Sequence, residues 1–305
     1  MGGWSVYCAI CGGPFSSHLD IDPEETDVDE FCYRDKVLRD CKLEWLEEVC
    51  GLGINPDAPG NDNYHAMDDP QLPHVFPFHP ICYHGILQRC IQQENTGKLK
   101  GEVLVNVMED LLGKTNTRLE VSYGEPEPPT EQDWLSIKGQ EVLVVNPVEI
   151  PQLKAELDPI TESLDKKATA DQHSRSEDIF DRLPAELRNW VLKFLPVGSI
   201  LALKAASLAM HTTSLSDGFW KHRLRSEIPW LWEIHDVDVF QSQVVEEKAS
   251  NLLVDIEKKS QYSSENDDYI FGLANRRRIW GVCEQIRSQY LENLKNIPNT
   301  DSVHS

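Results

Sequence analysis

Cys8-Ala-Ile-Cys11 stands directly before Gly12-Gly13 near the start of a 305-residue chain that holds eight cysteines. A C-x-x-C pair lets both sulfurs reach one tetrahedral ion, and the glycines permit the tight turn that aims backbone N–H groups at the thiolates. One such pair supplies half of a site. The other half is expected from His79-Pro-Ile-Cys82, an H-x-x-C at the head of an apolar stretch with helical spacing (Ile86, Leu87, Cys90, Ile91). Cys8, Cys11, His79 and Cys82 would together make a closed Cys3His site for structural zinc, with Cys32 as the reserve ligand. Two other readings of the C-x-x-C stay open. A redox dithiol should follow a strand and open a helix, which the succession Gly12-Gly-Pro-Phe15 does poorly. Plain buried cysteines are the other. His65, His74 and His84 lie close in sequence and read as solvated loop residues.

Other chemistry-bearing patterns fail on inspection. Asp20 to Glu30 holds seven acidic residues in eleven. An EF-hand there would place Glu25 where the loop needs glycine and Phe31 where it needs the bidentate Glu. Leu111-Leu-Gly113-Lys-Thr115 resembles the end of a phosphate-binding loop, but Met108 occupies the first glycine position. No H-E-x-x-H, G-x-S-x-G or Gly-rich phosphate loop occurs, so the chain is expected not to be an enzyme.

The elements that position the half-sites follow from charge and periodicity. The net charge is −22, from 51 acidic and 29 basic residues. Residues 1–130 account for 23 of the acidic and 9 of the basic ones, whereas 175–235 are near neutral with 7 and 8. Such acidity repels phosphate backbones and anionic lipid, so neither nucleic acid nor membrane is expected as a partner. No apolar run approaches the ~20 residues of a membrane helix. MGGWSVYC does not read as a signal peptide, and a cytoplasmic or nuclear location with reduced thiols is expected. The stripe Val37, Cys41, Trp45, Val49 predicts a helix from Tyr33 to Cys50 capped by Gly51. Arg118–Tyr123 and Glu141–Val145 read as short strands. Gly124–Thr130 and Asp165–Ser176 read as linkers. The expected organisation is a zinc-binding N-terminal domain at 1–120, a linker segment at 121–176, a helical module at 177–225 and a helical extension at 226–305.

The helical module is the most patterned stretch. Leu183 before Pro184 favours extended backbone, and Pro184 suits the first helical position. Leu187, Val191 and Leu195, flanked by Trp190 and Phe194, form one face, and Pro196 stops the helix. Ser199 can cap a second helix from Ile200 to about Met210, apolar almost all round and so expected to be buried on several sides. A third helix carries Phe219 and Trp220. About 45 residues cannot bury this much apolar surface alone. Farther on, Val245, Ala249, Leu252, Ile256 and then Ile279, Cys283, Ile286, Tyr290 mark two amphipathic helices, with Arg276-Arg-Arg278 as a solvated helix end.

Leu183 to Arg223 resembles an F-box: the LPAEL start, the leucine-rich first helix, the Pro-x-x-Ser turn, Ala206-Ser207 and the closing Phe219-Trp220 are in order. With Pro229-Trp-Leu-Trp-Glu233, the C-x-x-C-G-G at Cys8–Gly13, the helix of Asp40 to Leu46 and the H-x-x-C at His79–Cys82, the chain is similar to F-box proteins of filamentous fungi. It departs in having Ala206-Ser-Leu-Ala where many F-boxes have a basic or Val-Cys-Lys element. The resemblance implies a mainly α fold with a small zinc-knuckle-like α(+β) N-terminal domain, a three-helix F-box and C-terminal amphipathic helices. It also implies a substrate-recruiting subunit of an SCF-type cullin–RING ubiquitin ligase. The F-box would dock on a Skp-type adaptor through Leu183, Pro184, Leu187, Val191, Leu195 and Trp220, and other surfaces would choose the protein substrate. The alternatives weighed against it are a zinc-stabilised interaction module outside a ligase, a zinc enzyme, and a zinc-dependent nucleic-acid binder, which the charge disfavours.

Overall fold

The computed structural model describes residues 7–15, 43–53, 75–93, 99–113, 118–129, 141–161, 178–236, 245–265 and 268–296. These are mainly helical, with one two-stranded sheet. The chain divides into two compact units, Met1–Ile150 with Tyr262–Ser305, and Pro151–Gln261. That grouping differs from the expected boundaries at 120, 176 and 225. The last helix joins the N-terminal unit, because its apolar stripe is covered there.

In the first unit, β1 (Cys50–Leu52) pairs antiparallel with β2 (Phe76–Phe78), Cys50 opposite Phe78 and Leu52 opposite Phe76. Pro77 has no N–H to give, which a two-stranded ladder tolerates, and its carbonyl accepts the Ala9 N–H at 2.9 Å. The chain then enters a wide π-type turn (Ile81–Leu87) that continues as α1 (Gln88–Gln92). The C-terminal helix (Phe271–Asn296) packs on α1, on the π-turn and on α2 (Gly101–Asp110). The stripe Ile279, Cys283, Ile286, Tyr290 is fully buried, as its spacing predicts. Burial pushes the Cys283 thiol well above its ordinary value, so this cysteine behaves as core.

Four expectations for this unit are corrected. Residues 43–50 do not complete a helix: Glu44–Leu46 is one 3-10 turn, and Gly51 lies in β1 and caps nothing. Residues 33–42 lie outside the described residues. Trp45 is instead held by tertiary contacts, its indole N–H donating to the Val144 carbonyl at 3.1 Å.

The two β-branched runs are not strands either. Leu119 makes an isolated bridge to Leu112, and Glu141–Leu143 is a 3-10 turn. Near the latter, the Leu143 and Val145 carbonyls accept from the Asn275 side chain, at 3.3 and 2.8 Å. Arg276 donates to the Pro147 and Val148 carbonyls at 2.7 and 3.0 Å. Side-chain donors do there what a neighbouring strand would do.

That also overturns the third expectation. Arg276 and Arg278 are not at a solvated helix end; both are buried inside the C-terminal helix. Nor is Gly124–Pro129 a bare linker, since Arg118 donates to the carbonyls of Pro128 (2.8 Å), Pro129 and Gly12 (3.0 Å).

The second unit begins with α3 (Pro151–Thr161). After a 3-10 turn (Ile179–Arg182), Leu183 is extended at φ −88°, ψ 133°, Pro184 caps, and α4 (Ala185–Phe194) follows. Pro196 separates α4 from α5 (Val197–Ala206). Ser199 lies inside α5 and does not cap it. The single helix expected from Ile200 to Met210 is broken: Ser207 caps α6 (Leu208–His211), its hydroxyl accepting the Met210 N–H at 3.1 Å. α5 buries only Val197 and Ile200 rather than several sides. Ser216 caps α7 (Asp217–Glu227), accepting the Phe219 N–H at 3.2 Å. α8 (Glu233–Asp236) is a single turn, and α9 (Val245–Lys259) packs on α7 and α5 with Ala249, Leu252 and Ile256 buried. No helix among the described residues is long and apolar enough to cross a membrane.

Leu192, Ile200, Met210 and Trp220 form the core of this unit, whereas Leu203 is only half-buried. Leu192→Ala should therefore lower unfolding free energy by ~2–5 kcal/mol, and Leu203→Ala by distinctly less. Denaturant titrations of the two variants check the order.

Asp178 staples the lead-in turn to α6. Its carboxylate accepts the Ala209 N–H at 3.0 Å, the Ser207 hydroxyl at 2.7 Å and the Phe180 N–H at 3.0 Å. The Ala209 N–H first, then the Ser207 hydroxyl, hold its carboxyl below the usual carboxylate range. A depressed carboxylate contributes stability above its unfolded pKa and loses it as pH falls through the folded value. Asp178→Asn should therefore melt below the wild type at neutral pH, with the gap closing below about pH 4. Paired thermal melts across that range check it, and a gap independent of pH would refute it.

Candidate metal centre and an exposed helix face

Three segments deliver the four candidate ligands. Cys8 and Cys11 lie on a tight turn, with the Gly12 N–H donating to the Cys8 carbonyl at 2.8 Å and the Cys8 N–H to the Gly13 carbonyl at 2.9 Å. Gly12 sits at φ +73° with Tyr123 and Pro128 against it, leaving no room for a side chain. The Cys11 N–H points at the Cys8 sulfur (3.4 Å) and the Gly13 N–H at the Cys11 sulfur (3.3 Å). β2 ends one residue before His79, and the π-turn carries Cys82. Such widened turns recur at functional sites.

All four ligand atoms lie within 4.8 Å of one another and all four residues are buried. His79 Nδ1 is 3.4 Å from the Cys11 sulfur and 3.9 Å from the Cys82 sulfur. Tetrahedral coordination with the usual zinc bond lengths puts sulfur and nitrogen ligands about 3.6 Å apart, so the spacing fits such an ion. His79 Nε2 donates to the Pro14 carbonyl at 3.0 Å, which leaves Nδ1 as the free lone pair facing the sulfurs, the usual outer support of a metal-bound histidine. The ring is wedged between Phe15 and Trp45, at centroid distances of 4.6 and 4.8 Å.

The four side chains are electrostatically coupled. Burial opposes ionisation of Cys8, but hydrogen bonding with Cys11 and Cys82 and the His79 charge bring its thiol well below the ordinary value. Burial and the neighbouring sulfurs push Cys82 well above it. His79 is held well above its ordinary value, since Cys8 and Cys11 outweigh burial. A divalent cation binding among these buried groups would displace their protons.

The four residues predicted from sequence as ligands are thus brought together. Cys32, His65 and His74 lie outside the described residues. His84 is exposed and bonded to Gln88.

The residues expected to bind a partner scatter in their exposure. Pro184 and Leu187 are exposed; Leu183, Val191 and Leu195 are half-buried. Trp220 has no exposed surface and is corrected from contact residue to core, because α7 turns that ring inward. The exposed apolar side chains of α4 are Leu187 (51 %), Trp190 (60 %) and Phe194 (76 %), spaced i, i+3, i+7 on one face, while Leu192 faces the core. Trp190 and Phe194 were legible as part of that stripe, yet sequence alone favoured Leu195. Ile179 and Leu208, either side of the Asp178 staple, are each 72 % exposed.

No family model matches this sequence, and the comparisons with curated proteins and with solved structures give no match.

Proposed function

We propose that the chain is an F-box subunit of an SCF-type cullin–RING ubiquitin ligase, docking a Skp-type adaptor through residues 177–225. In this reading its first unit is built around a structural zinc ion held by Cys8, Cys11, His79 and Cys82. The observation that carries the ligase reading is the aromatic face of α4, where Leu187, Trp190 and Phe194 stay in water although the helix buries Leu192 on its other side. A folded helix that leaves two large rings uncovered has a second apolar surface to fill, and helix-in-groove docking fills it. The Leu183-Pro184 lead-in, the proline break before α5 and the Ser216 cap before Phe219-Trp220 keep the order of the F-box pattern that the sequence resembles. The zinc reading rests on a closed, buried Cys3His donor set with a supported histidine, and structural zinc sites take that form. Zinc there would supply folding energy rather than chemistry, because four protein ligands leave no open position.

Mixing the purified full chain with a purified Skp-type adaptor tests the reading. A 1:1 complex on size exclusion is the expected result. A wild-type chain that stays monomeric beside the adaptor would overturn the ligase assignment and leave an interaction module of another kind.

A further inference from the structure

A buried cation without an anion is costly, and the C-terminal helix carries one into the wall of the metal cluster. Arg278 is 7 % exposed. Its guanidinium donates to the carbonyls of Cys11 and Tyr123, both at 3.0 Å, and to the Asn275 side-chain oxygen at 2.9 and 3.2 Å. Every one of these partners is a neutral oxygen. Gly124, at φ +74°, lies so close that a Cβ there would come 2.9 Å from Arg278 Cγ, so chain and side chain are packed without slack. No carboxylate among the described residues balances this charge. Through the Cys11 carbonyl the guanidinium is tied to the backbone of a candidate ligand, beside the buried cluster of Cys8, Cys11, His79 and Cys82.

A divalent ion with three thiolates and a neutral imidazole carries a net charge of minus one by simple addition. We propose that Arg278 is the counter-charge of this metal–thiolate cluster. The knuckle at the start of the chain and the last helix then form a single electrostatic unit that a divalent metal completes. The inference rests on the metal reading of Cys8, Cys11, His79 and Cys82 and adds to it a positioning residue outside the ligand set. Its consequence is reciprocal. With metal bound, the cluster and Arg278 sum to zero charge. Without the metal that balance is lost, and the docking of the C-terminal helix weakens.

The test uses the full chain loaded with zinc, a chromophoric chelator to follow release, and cobalt(II) as a spectroscopic substitute. Arg278→Gln keeps a polar side chain but is shorter and loses the charge, Arg278→Lys keeps the charge, and Arg276→Gln removes another buried arginine whose carbonyl partners are Pro147 and Val148. Arg278→Gln is expected to weaken zinc retention by about 10–100-fold, the range for outer support of metal ligands. Arg278→Lys should restore most of it, and Arg276→Gln should leave it near wild type. Equal retention in Arg278→Gln and wild type overturns the proposal. So does equal loss in Arg276→Gln and Arg278→Gln, which would assign the effect to helix docking alone. If Arg278→Gln fails to fold, Arg278→Lys decides: retention supports the charge role, and loss refutes it. A wild-type chain with no thiolate-to-cobalt charge-transfer band would instead overturn the metal reading itself, which separates that failure from this one.

Discussion

Stripping the metal from the purified full chain is expected to unfold its first unit. The chain should carry about one zinc, and a strong chelator should remove it together with the near-ultraviolet signal of buried Trp45, Trp280 and Tyr290. Structural zinc sites contribute apparent binding energies of ~10–16 kcal/mol, which matches or exceeds the ~5–15 kcal/mol by which a whole domain is usually stable. No other single change to this unit is expected to act on that scale. Cys82→Ser should abolish stoichiometric zinc. Cys90→Ser, equally buried but outside the ligand set, should keep it. Elemental analysis with circular dichroism checks both, and zinc-free wild-type protein with an unchanged melt after chelation would remove the claim.

Trp190→Ala combined with Phe194→Ala is expected to abolish binding to a Skp-type adaptor while leaving the fold intact. Buried interface anchors cost ~2 kcal/mol or more each on truncation, about 30-fold in affinity, and aromatic residues are over-represented among them. Their high exposure in the free chain means that little native packing is lost. Leu183→Ala with Pro184→Ala should weaken the complex in the same direction, since that lead-in aims α4. Trp220→Ala is the contrasting case. Its ring has no exposed surface, so it should lower the melting temperature of the second unit, and any loss of adaptor binding should follow that unfolding. Titration calorimetry and circular dichroism on the three variants separate the outcomes. A double variant of Trp190 and Phe194 that binds like wild type would show that this face serves no adaptor.

The local grammar of the helices was written in the chain. Leu183 before Pro184 could only be extended, Pro196 had to end α4, and Ile279, Cys283, Ile286 and Tyr290 had to share one buried stripe, because these constraints act within a turn or two of backbone. The buried Cys/His cluster was legible for a similar reason. C-x-x-C-G-G and H-x-x-C are short-range motifs whose chemistry narrows which residues can meet, even across a long intervening loop. Only the tertiary structure decided the rest. Glu141–Val145 has strand-like composition, yet its Leu143 and Val145 carbonyls are taken by Asn275, some 130 residues away, and two arginines of a basic run that reads as solvated, Arg276 and Arg278, enter the core. Local composition carries no signal for a donor from the other end of the chain, so neither outcome could be read from it. The same holds for Trp220 and Phe194, apolar rings on two helices of the second unit: spacing marks both as apolar, and only packing decides which is buried and which stays exposed.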